Sequence, residues 1–163
     1  MTTSTSTVPA KVLTLCLVVD GGRVLLGLKK RGFGAGRWNG FGGKVEAGET
    51  IEQAASRELR EEAGIEAPSL AAIGRLTFTF EGDPVALEVH VFRADAFVGD
   101  PVETEEMRPQ WFAFGEIPFE AMWPDDRFWL PHALAGKCVH GSFRFQGQDR
   151  IIGHELEVMT PAR

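Results

Sequence analysis

The sequence predicts an α/β sandwich, a mixed β-sheet with helices packed on it. Three observations predict it. Val12 to Val19 is a nearly continuous apolar run, the pattern of a buried strand. Ile51 to Ala63 carries apolar residues at helical spacing between capping residues. Further short apolar stretches, separated by glycine turns, interleave with a second helical segment.

Each element follows from its residues. After Val19, Gly21-Gly22 makes a turn and Arg23 to Lys30 returns as a second strand. RGFGAGRWNGFGG, from Arg31, is glycine-rich but holds Phe33, Trp38 and Phe41, so it is expected to fold over a ligand. Thr50 with Gln53 three residues later forms a capping box, and Gly64 ends the helix. Ile73 to Phe80 and Val85 to Ala94 are strands joined by a turn at Gly82-Asp83, and Met107 to Phe114 is another. Asp125 or Asp126 starts a second helix that runs to about Ala135. From Cys138 the chain closes as a hairpin with a turn near Gly147.

The chain has 163 residues, enough for one domain, expected over residues 11–163. Residues 1–10, MTTSTSTVPA, lack an apolar core, so no signal peptide is expected there but a frayed tail. The net charge of -6 and the lack of a basic stripe argue against a nucleic-acid polymer as partner. No stretch is apolar and long enough to cross a membrane. Cys16 and Cys138 form no C-x-x-C pair and read as reduced thiols of a cytoplasmic protein. Nothing demands more than a monomer. His90, His132, His140 and His154 show no metal-ligand spacing.

The densest signal is GKVEAGETIEQAASRELREEAGI, Gly43 to Ile65. It fits G-x5-E-x7-R-E-U-x-E-E-x-G-U, with U a bulky aliphatic residue, at every specified position. The chance of such a match at one start point is roughly below one in a hundred million with average residue usage. At about 100° per residue, Ile51, Ala54, Ala55 and Leu59 define an apolar face. Glu58 and Glu62 fall inside that face and Glu61 at its edge. Buried like charges repel and are costly to desolvate. The competing reading is a solvated acidic helix, which Glu52 and Arg60 would suit. A hard divalent cation resolves the conflict: carboxylates without nitrogen or sulfur neighbours suit Mg²⁺ or Mn²⁺. Arg57 is placed to pair with Glu49 or Glu58 and hold a carboxylate in line.

This motif is identified as the signature of the Nudix hydrolases, which act on nucleoside diphosphates linked to another moiety. The resemblance implies the Nudix fold, a mixed sheet between helices, and attack of water on a phosphorus of the phosphate chain. It implies a metal held by Glu58, Glu61 and Glu62, joined by the backbone carbonyl of Gly42 and an acid from outside the motif, here Glu106. The expected catalytic residues are Glu62, Glu58 and Arg57, with Glu62 the first choice as general base.

Beyond the motif, LLGLKKRGFGAGRWNGFGGKV, VHVF, EMRPQWF, MWPDD and FQGQD resemble the animal oxidised-purine nucleoside triphosphatases of that family, from about Val12 to about Asp149. The implied activity is Mg²⁺-dependent hydrolysis of 8-oxo-dGTP and 2-hydroxy-dATP to monophosphate and pyrophosphate, which sanitises the nucleotide pool. The implied base pocket is Asn39 on the purine edge, Asp125 and Asp126 facing the base, and Trp123 stacking on it. Thr14, Lys29, Phe33, Phe78, Leu87 and Trp129 line it or its mouth. Leu87 stands where the vertebrate enzyme has methionine, a change that keeps volume and loses plasticity. The residue types agree with these roles. An asparagine both donates and accepts, and adjacent buried aspartates should retain a proton between them. On spacing alone, Asp125 or Asp126 could equally cap a helix, and the aromatics could be core. Two alternatives stand beside this reading: hydrolysis of other modified purine triphosphates, such as O6-methyl-dGTP or N6-methyl-dATP, and a nucleotide-binding module without turnover.

Overall fold

The computed structural model describes residues 10–161. Its strands are β1 (Ala10–Asp20), β2 (Arg23–Lys29), β3 (Trp38–Asn39), β4 (Ala71–Phe80), β5 (Ala86–Ala94), β6 (Met107–Ala113), β7 (Cys138–Gln146) and β8 (Arg150–Met159). The α-helices are α1 (Ile51–Ala63) and α2 (Asp126–Leu134). The expected tail lies outside the described residues except for Ala10, which opens β1.

The strands form one sheet in the order β3-β2-β1-β5-β4-β7-β8, with β6 on the other side of β2. β1 runs parallel to β5 and β4 to β7. The remaining pairs are antiparallel, so the sheet is mixed, as predicted. Strand alternation divides the apolar residues between two cores. Leu17, Val19, Val24 and Leu26 pack with Trp129, Leu130 and Ala133 of α2. Cys16, Val18 and Leu25 pack with Leu59 and Ala63 of α1. The helices therefore cover opposite faces of the sheet.

The predicted caps of α1 are made. Thr50 Oγ1 accepts from the Gln53 N–H at 3.1 Å, and Gln53 Oε1 accepts from the Thr50 N–H at 2.9 Å. Gly64, at φ 71°, donates its N–H to the Arg60 carbonyl. These bonds fix where the helix starts and stops, and hence which carboxylates face the sheet. Cys16 and Cys138 are both free thiols. No helix among the described residues is long and apolar enough to cross a membrane.

The glycine-rich segment departs from the simple loop expected. β1 and β2 pair only near their shared turn, from Val18↔Leu25 to Asp20↔Arg23. Beyond that they diverge, and the chain from Trp38 to Val45 is wedged between them. Trp38 and Asn39 pair with β2. Phe41 and Gly43 then bond β1, with Phe41 N–H donating to Cys16 O at 3.0 Å and Thr14 N–H to Gly43 O at 2.9 Å. Of the three aromatics expected over a ligand, only Phe33 is so placed. Phe41 is fully buried in the α1-side core. Trp38 packs edge-on against Phe112 at 4.9 Å. Both are drawn inward because the segment is part of the sheet.

Candidate active site

The wedge brings Gly42 against β1 and Gly43, the first residue of the motif, against α1. An added Cβ at Gly42 would lie 1.7 Å from Thr14 O, and one at Gly43 would lie 2.3 Å from Glu58 Oε2. At Gly42, where the neighbour is backbone, only glycine permits this approach. Gly42 donates its N–H to Glu62 Oε1 at 3.0 Å. Glu62 is 6% exposed. Its burial pushes its pKa up to about 8, against the opposing Gly42 bond, and the neighbouring Glu58 adds to the rise. Burial likewise raises Glu58, opposed by Arg57.

Arg57 organises the rest of the motif. Its Nε and Nη2 grip both oxygens of Glu49, at 2.6 and 3.0 Å. Its Nη1 bonds Glu58 Oε2 and Glu61 Oε1, each at 3.2 Å. Nη2 also donates to the Lys44 carbonyl at 3.0 Å. The Glu49 bonds are the first cause holding this guanidinium protonated. The sequence offered Glu49 or Glu58 as partners for Arg57; the structure pairs it with both, and with Glu61 as well.

Glu61, 56% exposed, faces outward in that pair. Glu106 accepts from Arg31 Nε and Nη2 at 3.0 and 2.6 Å, and this bonding lowers its carboxyl below the usual range. Consequently no three His, Cys, Asp or Glu side chains are gathered into a ready metal cluster among the described residues. The donors nevertheless suit a hard cation. Glu62 is buried with one backbone bond and no ion-pair partner among the described residues. The neighbouring donors are all oxygen.

A cavity of about 680 Å³ opens beside Glu62. Gly42, Gly43 and Glu62 line it. All ten residues expected in the base pocket line it too: Thr14, Lys29, Phe33, Asn39, Phe78, Leu87, Trp123, Asp125, Asp126 and Trp129. Glu58, Glu61 and Glu106 do not. Sequence reasoning missed Phe80 and Phe145 of the wall. Phe80 was within reach, since it follows Phe78 at strand spacing and so shares its face. Phe145 opens the FQGQD match, but nothing in the sequence says that β7 runs beside β4.

Asp125 and Asp126 are each 3% exposed. Asp125 does not cap α2 with its side chain. It accepts the Trp129 indole N–H at 2.8 Å instead. Trp129 is therefore both core and pocket wall. Asp126 Oδ2 is buried without a hydrogen-bond partner among the described residues. Burial pushes both carboxyls up, Asp125 to about 6 and Asp126 well above its ordinary value, where its neighbour's charge adds to the rise. The pair thus presents an acid beside a carboxylate, one donor and one acceptor. Asn39 Oδ1 accepts the Gly40 N–H at 2.9 Å, which leaves the amide NH₂ to donate. His90, by contrast, pairs with Glu88 at 2.7 Å on another part of the sheet.

The NUDIX domain model matches residues 9–133. The chain is 57% identical over 148 residues to a zebrafish (Danio rerio) protein named oxidized purine nucleoside triphosphate hydrolase, covering 91% of this chain and 95% of that one. It is 54% identical to the mouse (Mus musculus) protein of the same name, covering 90% and 94%. Among solved structures it is similar to a MutT protein from Bacillus halodurans, with a TM-score of 0.81 and 28% identity over 90% of this chain and 97% of that one.

Proposed function

The chain belongs to the NUDIX family, and on that premise we propose that it hydrolyses oxidised purine nucleoside triphosphates, 8-oxo-dGTP and 2-hydroxy-dATP among them, to monophosphate and pyrophosphate. The role that follows is removal of damaged nucleotides from the pool before a polymerase uses them. One observation carries the reading: Glu62 and Gly43 of the motif, with Gly42 before them, line the same cavity as the buried Asp125–Asp126 pair. A purine held by the pair thus directs its phosphates towards the motif.

The protein's own groups divide the work. Trp123 offers a flat apolar face for the base. Asn39 and the protonated Asp126 donate to the purine edge, and Asp125 accepts. An oxidised purine differs from its parent by an exchange of donor for acceptor. A desolvated pair discriminates strongly, because a wrong partner leaves a buried group unpaired. Lys29, on the cavity wall, lends positive charge towards the phosphates. Glu62 is the base that takes the proton of the attacking water; its desolvated carboxylate has raised proton affinity. Arg57 holds Glu58 in line. Mg²⁺, or Mn²⁺ in its place, would be held by Glu58, Glu61, Glu62 and the Gly42 carbonyl, with Glu106 joining, and would supply charge neutralisation on the phosphate chain. We read the protein as a cytoplasmic monomer.

The test compares kcat/KM for 8-oxo-dGTP and dGTP with Mg²⁺, detecting monophosphate and pyrophosphate. A strong preference for the oxidised nucleotide is expected. Equal turnover would remove the base specificity, and tight binding without turnover would point to a binding module.

A further inference from the structure

Arg37 belongs neither to the motif nor to the residues facing the purine. Its backbone is tied down at the end of the glycine-rich loop, where its carbonyl accepts the Lys29 N–H at 3.0 Å and its N–H donates to Gly34 O at 3.2 Å. Its guanidinium carbon lies 4.3 Å from the centre of the Trp123 ring. The same guanidinium donates to the Gln148 carbonyl at 3.1 Å and pairs with Asp149, both in the turn between β7 and β8. One side chain therefore joins three segments far apart in sequence.

The cavities fix which side of Trp123 it occupies. Trp123 and Phe33 line the base cavity, and Arg37 does not. Arg37 and Asp149 line a second cavity of about 620 Å³, with Phe119, Met122 and Arg127, and Trp123 does not. The guanidinium thus backs the indole on the side away from the base.

We propose that Arg37 is a positioning residue for purine recognition: it braces the back of Trp123 against the β7–β8 turn and holds the indole where the base stacks. The inference rests on the purine-triphosphate reading above. Trp123 lies between two short 3-10 turns and α2, and its ring packs against Phe33, Phe80 and Phe145, all of them lining the base cavity. A planar cation on its other face adds a constraint that those rings do not supply. The Arg37 side chain is 18% exposed and Asp149 is 88% exposed. The stack is therefore the stronger element, and the ion pair mainly orients it.

The experiment uses Arg37→Met, which keeps bulk and loses charge, Arg37→Lys, which keeps charge and loses the planar stack, and Asp149→Asn, which loosens the anchor outside the base cavity. Arg37→Met should raise KM for 8-oxo-dGTP about 3- to 10-fold, the range of a cation–π contact, with kcat within about twofold. Arg37→Lys should fall between it and the parent, and Asp149→Asn should raise KM by about twofold. A second readout does not depend on turnover. In ligand-free protein, the indole N–H resonance of Trp123, identified by its loss in Trp123→Phe, should shift in Arg37→Met and Asp149→Asn while that of Trp111 stays. An unchanged KM in folded Arg37→Met, or an unmoved Trp123 resonance, overturns the brace. If the parent protein turns over no oxidised purine triphosphate, the functional reading fails, and the resonance alone decides whether Arg37 braces Trp123.

Discussion

Replacing Glu62 by Gln should make the metal-free protein more stable while it cuts turnover by orders of magnitude. The magnitude follows from the site. Burial moves the Glu62 carboxyl from its ordinary 4.5 to about 8. The folded carboxyl keeps a proton that the unfolded one has already released. Its stability contribution is therefore whole below about pH 4.5 and is lost progressively as pH rises towards 8. At about 1.4 kcal/mol per pH unit, the glutamate costs about 1 kcal/mol at pH 5 and about 3 kcal/mol at pH 7, relative to a glutamine that never ionises. Glutamine retains the carbonyl that accepts the Gly42 N–H. For a chain of this size each kcal/mol is worth about 2–4 °C, so at pH 7 the variant should melt about 6–12 °C above the parent. At pH 5 the gap should shrink to about 2–4 °C. The assay is thermal unfolding in EDTA at the two pH values, with kcat measured in Mg²⁺ and expected to fall by about 10²- to 10⁴-fold. An equal gap at both pH values, or a parent that melts higher at pH 7, would refute the desolvation argument.

Two further outcomes test the pocket and the wedge. Asp125→Asn and Asp126→Asn, made singly, should each change the ratio of kcat/KM for 8-oxo-dGTP and 2-hydroxy-dATP by about tenfold or more, since each alters one buried hydrogen-bonding partner; an unchanged ratio in steady-state assays would refute the shared-proton account. Gly42→Ala should destabilise the protein by roughly 2–4 kcal/mol in urea unfolding, because the new Cβ would sit 1.7 Å from Thr14 O and the backbone must move; a parent-like unfolding midpoint would contradict the close packing of the wedge.

Local rules carried much of the fold. The capping box at Thr50 and Gln53 and the terminator Gly64 are interactions between near neighbours, so reading α1 required no tertiary information. Helical spacing also put Glu58 and Glu62 on the apolar face before any packing was known, and Glu62 is indeed buried. The loop aromatics were harder. Phe33, Trp38 and Phe41 look equivalent in a glycine-rich stretch, yet one lines the cavity and two are core. What separates them is the divergence of β1 from β2, a property of the sheet. The ten pocket residues were legible only through family resemblance, because nothing local distinguishes a pocket aspartate from a helix cap.

The amino-acid sequence by itself determined the reaction chemistry. It placed carboxylates at i, i+3 and i+4 on a capped helix, beside glycines that admit close approach. That outcome depends on short-range geometry that every helix shares. Tertiary structure alone decided that Arg31 holds Glu106 and that Arg37 backs Trp123. Those contacts join residues that only the folded sheet brings together. Their energies depend on burial, which no stretch of sequence possesses until the chain has closed around it.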